Sequence, residues 1–106
     1  MQKYLIQANY VGEGIKGLLK EGGTSRRATV EKLVKSLGGN MEAFYYAFGE
    51  TDVYVIAEVP DNASMASLAL TINASGTVTV KTTVLMTPEE VDEAAKKTPS
   101  YRPPGQ

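Results

Sequence analysis

The 106-residue sequence contains no cysteine, no histidine and no tryptophan, and only two phenylalanines. The absence of cysteine excludes disulfides and thiolate chemistry, and it is compatible with a reducing compartment. Without histidine, a proton acceptor near neutral pH has to be a carboxylate, a lysine or a tyrosine whose pKa is displaced by its surroundings. The remaining carboxylates are scattered, and none has the spacing of a calcium loop. We therefore expect no metal site and no cofactor.

The sequence also lacks a charge excess and a long apolar run. Its formal net charge is −1, so no global field favours nucleic acid or an anionic membrane as a partner. The apolar stretches have the length of strands, as in residues 53–57, and none could span a bilayer. Polar residues at Gln2, Lys3 and Gln7 make the beginning of the chain a poor signal peptide. We expect a cytoplasmic protein with no membrane partner.

Hydrophobic periodicity predicts the order strand, helix, two strands, helix, strand and a short final helix. Alternation and an abundance of β-branched and aromatic residues predict the strands. Their expected bounds are 3–10, 40–48, 52–59 and 77–86.

The helices are bounded by glycines, prolines and capping residues. The first helical stretch, 12–37, is interrupted at Gly22-Gly23. The second follows a cap at Asp61 or Asn62 and ends near residue 75. The third begins at Thr87-Pro88-Glu89-Glu90, which has the pattern of a capping box with proline at the first helical position.

This order predicts an α+β, ferredoxin-like βαββαβ fold. Right-handed crossovers then place both main helices on one face of a four-stranded antiparallel sheet, in the order 4-1-3-2. We expect one domain over residues 1–97 and a Pro-rich tail over 98–106. The tail is either disordered or lies across a neighbouring subunit with Tyr101 as its anchor.

Alternation divides the strand residues between two faces of the sheet. One face is small and branched, and suits packing under the helices; it comprises Ile6, Ala8, Val53, Val55, Ala57, Val59, Val78, Val80 and Val84. The other mixes large apolar groups with polar ones, and comprises Leu5, Gln7, Asn9, Tyr54, Ile56, Glu58, Thr79, Lys81, Thr83 and Leu85. The second strand is ambiguous, and we favour Phe44, Tyr46 and Phe48 on this second face.

Such a mixed face is too apolar to be left open on a monomer, which predicts a homodimer or higher homo-oligomer packed sheet against sheet. The expected ligand-binding residues between the sheets are Gln7, Asn9, Tyr46, Tyr54, Glu58 and Lys81. Glu58 and Lys81 are expected about 10 Å apart at their backbones, two strand steps from each other. They are either an ion pair within an interface or the charged floor of a ligand pocket.

Two further segments carry polar groups that suit either a structural or a binding role. Residues 21–27 combine glycines, hydroxyls and two arginines at a helix start, which suits a solvated helix break or an anion site. Asp52 either bonds the backbone of its turn or directs a carboxylate at the end of the sheet. Aromatic residues on such a sheet can stack RNA bases, but residues 51–59 lack the RNA-binding signature and carry two acids.

Several stretches resemble a known family, the GYD domain family. They are Lys3-Tyr4-Leu5-Ile6-Gln7, Leu18-Leu19-Lys20-Glu21-Gly22-Gly23, Ala43-Phe44-Tyr45-Tyr46-Ala47-Phe48-Gly49, Val80-Lys81-Thr82-Thr83, Leu85-Met86-Thr87-Pro88-Glu89-Glu90 and Tyr101-Arg102-Pro103-Pro104. Gly49 and Asp52 match the residues that name the family, and Thr51 stands where its tyrosine is expected. The family is similar to the dimeric α+β barrel superfamily. That superfamily includes cofactor-free monooxygenases, isomerases, dehalogenating or haem-handling enzymes and ligand-sensing domains.

Three functional hypotheses follow from the residues and the resemblance. The first is a homo-oligomer that binds a small organic molecule, between sheet and helices or between subunits. The second is a cofactor-independent enzyme, like a monooxygenase or an isomerase, with Glu58, Lys81 and Asp52 as catalytic candidates. The third is a purely structural oligomer without a ligand.

Overall fold

Eight elements follow one another in the computed structural model, which describes all residues from Met1 to Gln106. Four of them are strands and four are helices, and none of the helices has the length and apolar character needed to cross a bilayer. In chain order they are β1 (Gln2–Tyr10), α1 (Gly14–Glu21), α2 (Gly23–Ser36), β2 (Asn40–Tyr46), β3 (Val53–Val59), α3 (Asn62–Ala74), β4 (Val78–Leu85) and α4 (Pro88–Lys96).

The four strands form one antiparallel sheet in the order β2-β3-β1-β4. This is the predicted order seen from the opposite edge, so the ferredoxin-like fold is confirmed. The predicted interruption of the first helical stretch is also present. Gly22 adopts φ +92°, a backbone conformation that favours glycine, and it separates α1 from α2.

The predicted helix starts are confirmed by their hydrogen bonds. Asp61 caps α3, with its carboxylate accepting from the Ser64 N–H at 2.8 Å. Thr87 and Glu90 form the full capping box of α4, in which each side chain accepts from the other residue's backbone N–H. Because these contacts satisfy N–H groups that would otherwise lack a partner, the local sequence defines where both helices begin.

The core lies between one face of the sheet and helices α2 and α3. The central strands β1 and β3 contribute alternate residues to it, as the predicted small and branched face requires. The fully buried apolar side chains are Tyr4, Ile6, Val53, Val55, Ala57 and Val59 from the sheet, with Val34, Met65 and Leu68 from the helices.

The prediction for β2 is wrong, because a bulge interrupts its alternation. Met41 pairs with Ala57 and Ala43 pairs with Ile56, so Glu42 is an extra residue in the strand. The bulge reverses the facing of every later residue. Phe44 and Tyr46 therefore share the helix-covered face, with their rings edge to face at 5.2 Å, and Tyr45 takes the opposite face.

The chain beyond β4 projects away from the rest of the molecule. Its principal extents are 58 × 32 × 23 Å and its radius of gyration is 17.0 Å. A compact chain of this length has a radius of gyration of about 13 Å. Every residue from Pro88 to Gln106 is exposed. We call residues 86–106 the C-terminal arm.

Candidate functional site

Five of the six predicted ligand-binding residues share the face of the sheet that no helix covers, which we call the open face. At its centre Gln7 of β1 lies between Tyr54 of β3 and Lys81 of β4. Tyr46 is the exception, since the bulge turns it to the helix-covered face. The open face thus carries Gln7, Asn9, Tyr54, Glu58 and Lys81 beside the apolar Leu5, Ala43, Ile56 and Leu85.

Two of these polar residues hold the connection between β2 and β3. The Gln7 amide donates to Oγ1 of Thr51 at 3.4 Å, and Thr51 is the one buried polar residue of the protein, 9% exposed. Oδ1 of Asn9 accepts from the Asp52 N–H at 2.9 Å. Both side chains therefore stabilise a turn from the sheet.

Asp52 also forms hydrogen bonds with the backbone of β1. Its carboxylate accepts from the Tyr10 N–H at 3.0 Å, and its own N–H also reaches the carbonyl oxygen of Ala8 at 3.1 Å. This agrees with the structural alternative for Asp52, although the backbone concerned belongs to β1 across the turn. The residues that match the family name, Gly49 and Asp52, thus flank a buried Thr51 that is tied to the sheet.

The predicted proximity of Glu58 and Lys81 is wrong. Glu58 lies opposite Lys3 and Lys81 lies opposite Gln7, so the two are displaced by four residues along β1. Four residues of antiparallel strand span about 14 Å, which is beyond the reach of an ion pair.

Glu58 instead belongs to a cluster around Lys3. The Lys3 Nζ lies 3.1 Å from a carboxylate oxygen of Glu42 and 3.9 Å from one of Glu58. Hydrogen bonding with Glu58 and with Lys3 lowers the pKa of Glu42. The contact between Lys3 and Glu42 raises the pKa of Lys3. The bulge residue Glu42 is what brings the second carboxylate to this face.

An enclosed apolar space lies on the other side of the sheet. Helix α2 packs over β2 while α3 packs over β4 and β3, and between them remains an apolar gap of about 40 Å³ above the middle of the sheet. Twelve of its thirteen lining residues are hydrophobic, including Ile6, Ala8, Phe44, Ile72 and Val80, and the thirteenth is Arg26.

A polar recess of about 130 Å³ lies beside the gap at the Tyr10 end of the sheet. Tyr10, Arg26 and Val78 line both the gap and the recess, so the two adjoin. The recess is completed by α1 and the start of β4, through Glu13, Gly14, Gly17, Leu18, Glu21 and Thr77.

Three charged side chains line this recess, and two of them, Arg26 and Glu21, do not pair with each other. Arg26 has no carboxylate within 4 Å, whereas Glu13 is paired with Lys16 at 3.4 Å. Glu21 accepts a hydrogen bond from the Ser25 hydroxyl at 3.2 Å. A free guanidinium and a free carboxylate oxygen thus border one small space.

Tyr46 places a phenol near Arg26 and Glu21, although it lines neither the gap nor the recess. Its hydroxyl donates to the carbonyl oxygen of Gly23 at 2.9 Å, and this contact fastens β2 to the start of α2. Desolvation of the hydroxyl raises the pKa of Tyr46 to about 12, and the neighbouring Tyr10 hydroxyl adds to the increase. Tyr46 therefore stays neutral at physiological pH and acts as a hydrogen-bond donor.

The sequence analysis missed Tyr10 as a site residue and considered Arg26 only within the helix break. The signal was present in both cases. Tyr10 ends β1 on the helix-covered face, and Arg26 follows the Gly22-Gly23 break by one helical turn. Neither position in the sequence predicts a cavity. The gap exists because α2 and α3 are separated above the sheet, and that separation cannot be read from the residues alone.

The antiparallel four-stranded sheet with helices on one face defines a small ferredoxin-like α+β protein. It has a polar recess and a short hairpin whose connection is held by Thr51 and Asp52. The GYD domain model matches residues 4–95 of this chain. The protein therefore belongs to the GYD domain family. Searches of curated proteins and of solved structures gave no significant match.

Proposed function

We propose that this protein is a homo-oligomer that binds a small hydroxyl-bearing aromatic molecule in the gap and the recess beside Tyr10. The observation that carries the proposal is that Arg26 and Glu21 face one recess unpaired, at the mouth of an apolar gap. A phenolic hydroxyl can accept from the guanidinium and donate to the carboxylate at the same time. The apolar part of such a ligand would meet the aliphatic and aromatic lining of the gap.

The same groups favour a neutral ligand over an anion. Besides Arg26, the recess contains Glu13 and Glu21, so a carboxylate there would meet two like charges. A hydroxyl avoids that repulsion. It also satisfies Arg26, whose half-buried charge otherwise has no partner in the protein.

The contacts favour binding over base catalysis. A general base has to be free to accept a proton near neutral pH. The Tyr46 phenol holds its proton, because its pKa is raised to about 12. The Asp52 carboxylate already accepts from the Tyr10 N–H. Of the other two catalytic candidates, Glu58 and Lys81, neither lines the gap or the recess.

The open face supports the oligomeric part of the proposal. Tyr45 and Tyr54 lie on it as exposed aromatic rings beside the half-buried Leu5 and Ile56. Exposed aromatic and aliphatic groups that share one face mark association sites on otherwise polar proteins. A second copy packed sheet against sheet would cover it.

The binding proposal predicts that phenol perturbs residues around the recess and that Arg26 determines its affinity. In a titration of ¹⁵N-labelled protein with phenol, the amide signals of Ala8, Tyr10 and Val78 should shift and saturate. Benzoate, titrated in parallel, should bind more weakly. Arg26→Gln is expected to weaken phenol binding by about tenfold, since a hydrogen bond to a charged group contributes about 1.5–3 kcal/mol.

Arg27→Gln is the matched control, because Arg27 follows on the same helix, is exposed, and lines neither the gap nor the recess. Its affinity for phenol should equal that of the original protein. If phenol leaves these amides unmoved at millimolar concentration, or if both arginine variants lose affinity equally, the proposed site is wrong.

A further inference from the structure

The C-terminal arm is well formed but has no surface of its own chain to pack on. Its helix α4 has nine residues and a complete capping box. Val91, Ala94 and Ala95 form an apolar stripe at the spacing i, i+3, i+4, yet all three are exposed. Isolated helices of fewer than about 12 residues are marginal in water. A helix this short therefore needs a packing surface from elsewhere.

A second exposed apolar surface lies at the opposite end of the sheet. It is an open groove of about 440 Å³ between α1 and the connection from β2 to β3, outside the recess described above. Leu19 is 81% exposed there, and the Phe48 ring is fully exposed. The groove is lined mainly by apolar groups, namely Ile15, Leu18, Leu19, Tyr46, Ala47 and Phe48, with Tyr10 and Asp52 at its inner edge.

The arm and the groove are placed so that they meet between two copies and not within one. The arm leaves the sheet where Leu85 pairs with Lys3, whereas the groove lies at the end where Tyr10 pairs with Val78. Seven residues of strand separate these ends, a distance of about 24 Å. In a sheet-to-sheet pair whose two-fold axis runs across the strands, the arm end of one copy lies over the groove end of the other. From there the arm passes around the end of the sheet to the helix-covered side, where the groove lies.

The helical segment that contains α1 and the arm helix α4 carry opposite net charges. Residues 12–37 hold six basic and three acidic side chains, a net charge of +3. Residues 88–97 hold four acidic and two basic ones, a net charge of −2. On α1, the helix that carries Ile15 and Leu19, Lys20 is exposed and unpaired, whereas Lys16 pairs with Glu13. Opposite charges around an apolar contact steer association and fix its orientation.

We infer that the C-terminal arm of a second copy of this chain lies in the groove. Its helix α4 packs along α1 of the partner, and Tyr101 inserts beside Leu19 and Phe48 as the aromatic anchor. Tyr10 and Leu18 line both the groove and the recess. The arm therefore also covers the approach to the recess, so each site is completed by the neighbouring subunit. This contact does not depend on a ligand.

The absence of native cysteines allows a direct test by disulfide cross-linking in the full chain. A Leu19→Cys variant mixed with a Tyr101→Cys variant and oxidised without ligand should give a covalent dimer as the main product. Leu70→Cys mixed with Tyr101→Cys is the control, since Leu70 is similarly exposed but lies on α3, outside the groove. The inference is overturned by equal yields in the two mixtures, or by an intramolecular bond when Leu19→Cys and Tyr101→Cys are combined in one chain.

A second variant tests the contact without cross-linking. Leu19→Glu places a carboxylate where the acidic helix of the partner arrives, and it should weaken self-association by at least about tenfold in analytical ultracentrifugation, as expected for loss of a contact at an interface centre. Leu70→Glu should leave association unchanged. Unchanged association of Leu19→Glu contradicts the inference, as does a monomeric original protein. The arm contact rests on the homo-oligomer of the proposed function, whereas phenol binding is measured in a separate titration. Failure of phenol binding is therefore distinguishable from failure of the arm contact.

Discussion

Leu68→Ala is expected to lower the free energy of unfolding by about 3 kcal/mol, within the range of about 2–5 kcal/mol for buried leucines. Leu68 is 2% exposed and joins α3 to the sheet. It also borders the apolar gap, so the neighbouring side chains cannot collapse onto the space it leaves without closing that gap. Urea unfolding followed by far-UV circular dichroism measures the effect.

Leu70→Ala is the matched control for that measurement. The residue lies on the same helix two positions later, has the same side chain and is 71% exposed. Its replacement should change the free energy of unfolding by no more than about 0.5 kcal/mol. Equal losses for Leu68→Ala and Leu70→Ala would mean that α3 does not pack on the sheet through the face described here.

Gly39→Ala is expected to destabilise the fold by about 3 kcal/mol, at the upper end of the usual cost of overpacking. Gly39 is buried where the chain enters β2. A Cβ atom there would collide with the carbonyl oxygen of Glu58 and lie 2.8 Å from Cγ1 of Val59. Because the carbonyl belongs to the central part of the sheet, the strand has to move to make room.

Gly17→Ala provides a control of opposite sign. Gly17 lies within α1, and a Cβ atom there meets nothing within 4 Å. Alanine is a better helix former than glycine by about 1 kcal/mol, so this variant should be slightly more stable than the original protein. A Gly39→Ala protein with an unchanged urea midpoint would contradict the close approach of β2 to β3.

The fold could be predicted because each local signal agrees with the topology. The capping box at Thr87 and Glu90 and the glycine at the α1–α2 break act within a few residues of sequence. The alternation of β3 is uninterrupted, so its buried and open residues could be assigned correctly. Such features need no knowledge of distant contacts.

The errors in the candidate site come from features that alternation alone does not reveal. The bulge at Glu42 reverses the facing of Phe44, Tyr45 and Tyr46, and nothing in the local sequence marks it, since Glu42 is an ordinary strand-edge residue. The prediction that Glu58 and Lys81 lie close together was wrong for a related reason. The strand order predicts how far apart the two residues lie across the sheet. Their displacement along the strands depends on the register, which is set by the turns.

The recess was missed because its residues are ordinary in type and lie on different elements. Tyr10, Glu21 and Arg26 belong to β1, α1 and α2, and they meet only because the helix break directs α2 back over the sheet. The location of the gap also depends on the separation between α2 and α3, which is a property of packing. The apolar character of the helix-covered face was predictable, but an opening within it was not.

The most direct test of the account is native mass spectrometry of the full chain, recorded gently with and without millimolar phenol. We expect a dimer or larger homo-oligomer that gains one phenol mass per subunit, and an Arg26→Gln oligomer with a clearly lower phenol occupancy under the same conditions. A monomer, or an oligomer whose mass is unchanged by phenol, would contradict the claim that this GYD domain protein is a small-molecule-binding homo-oligomer.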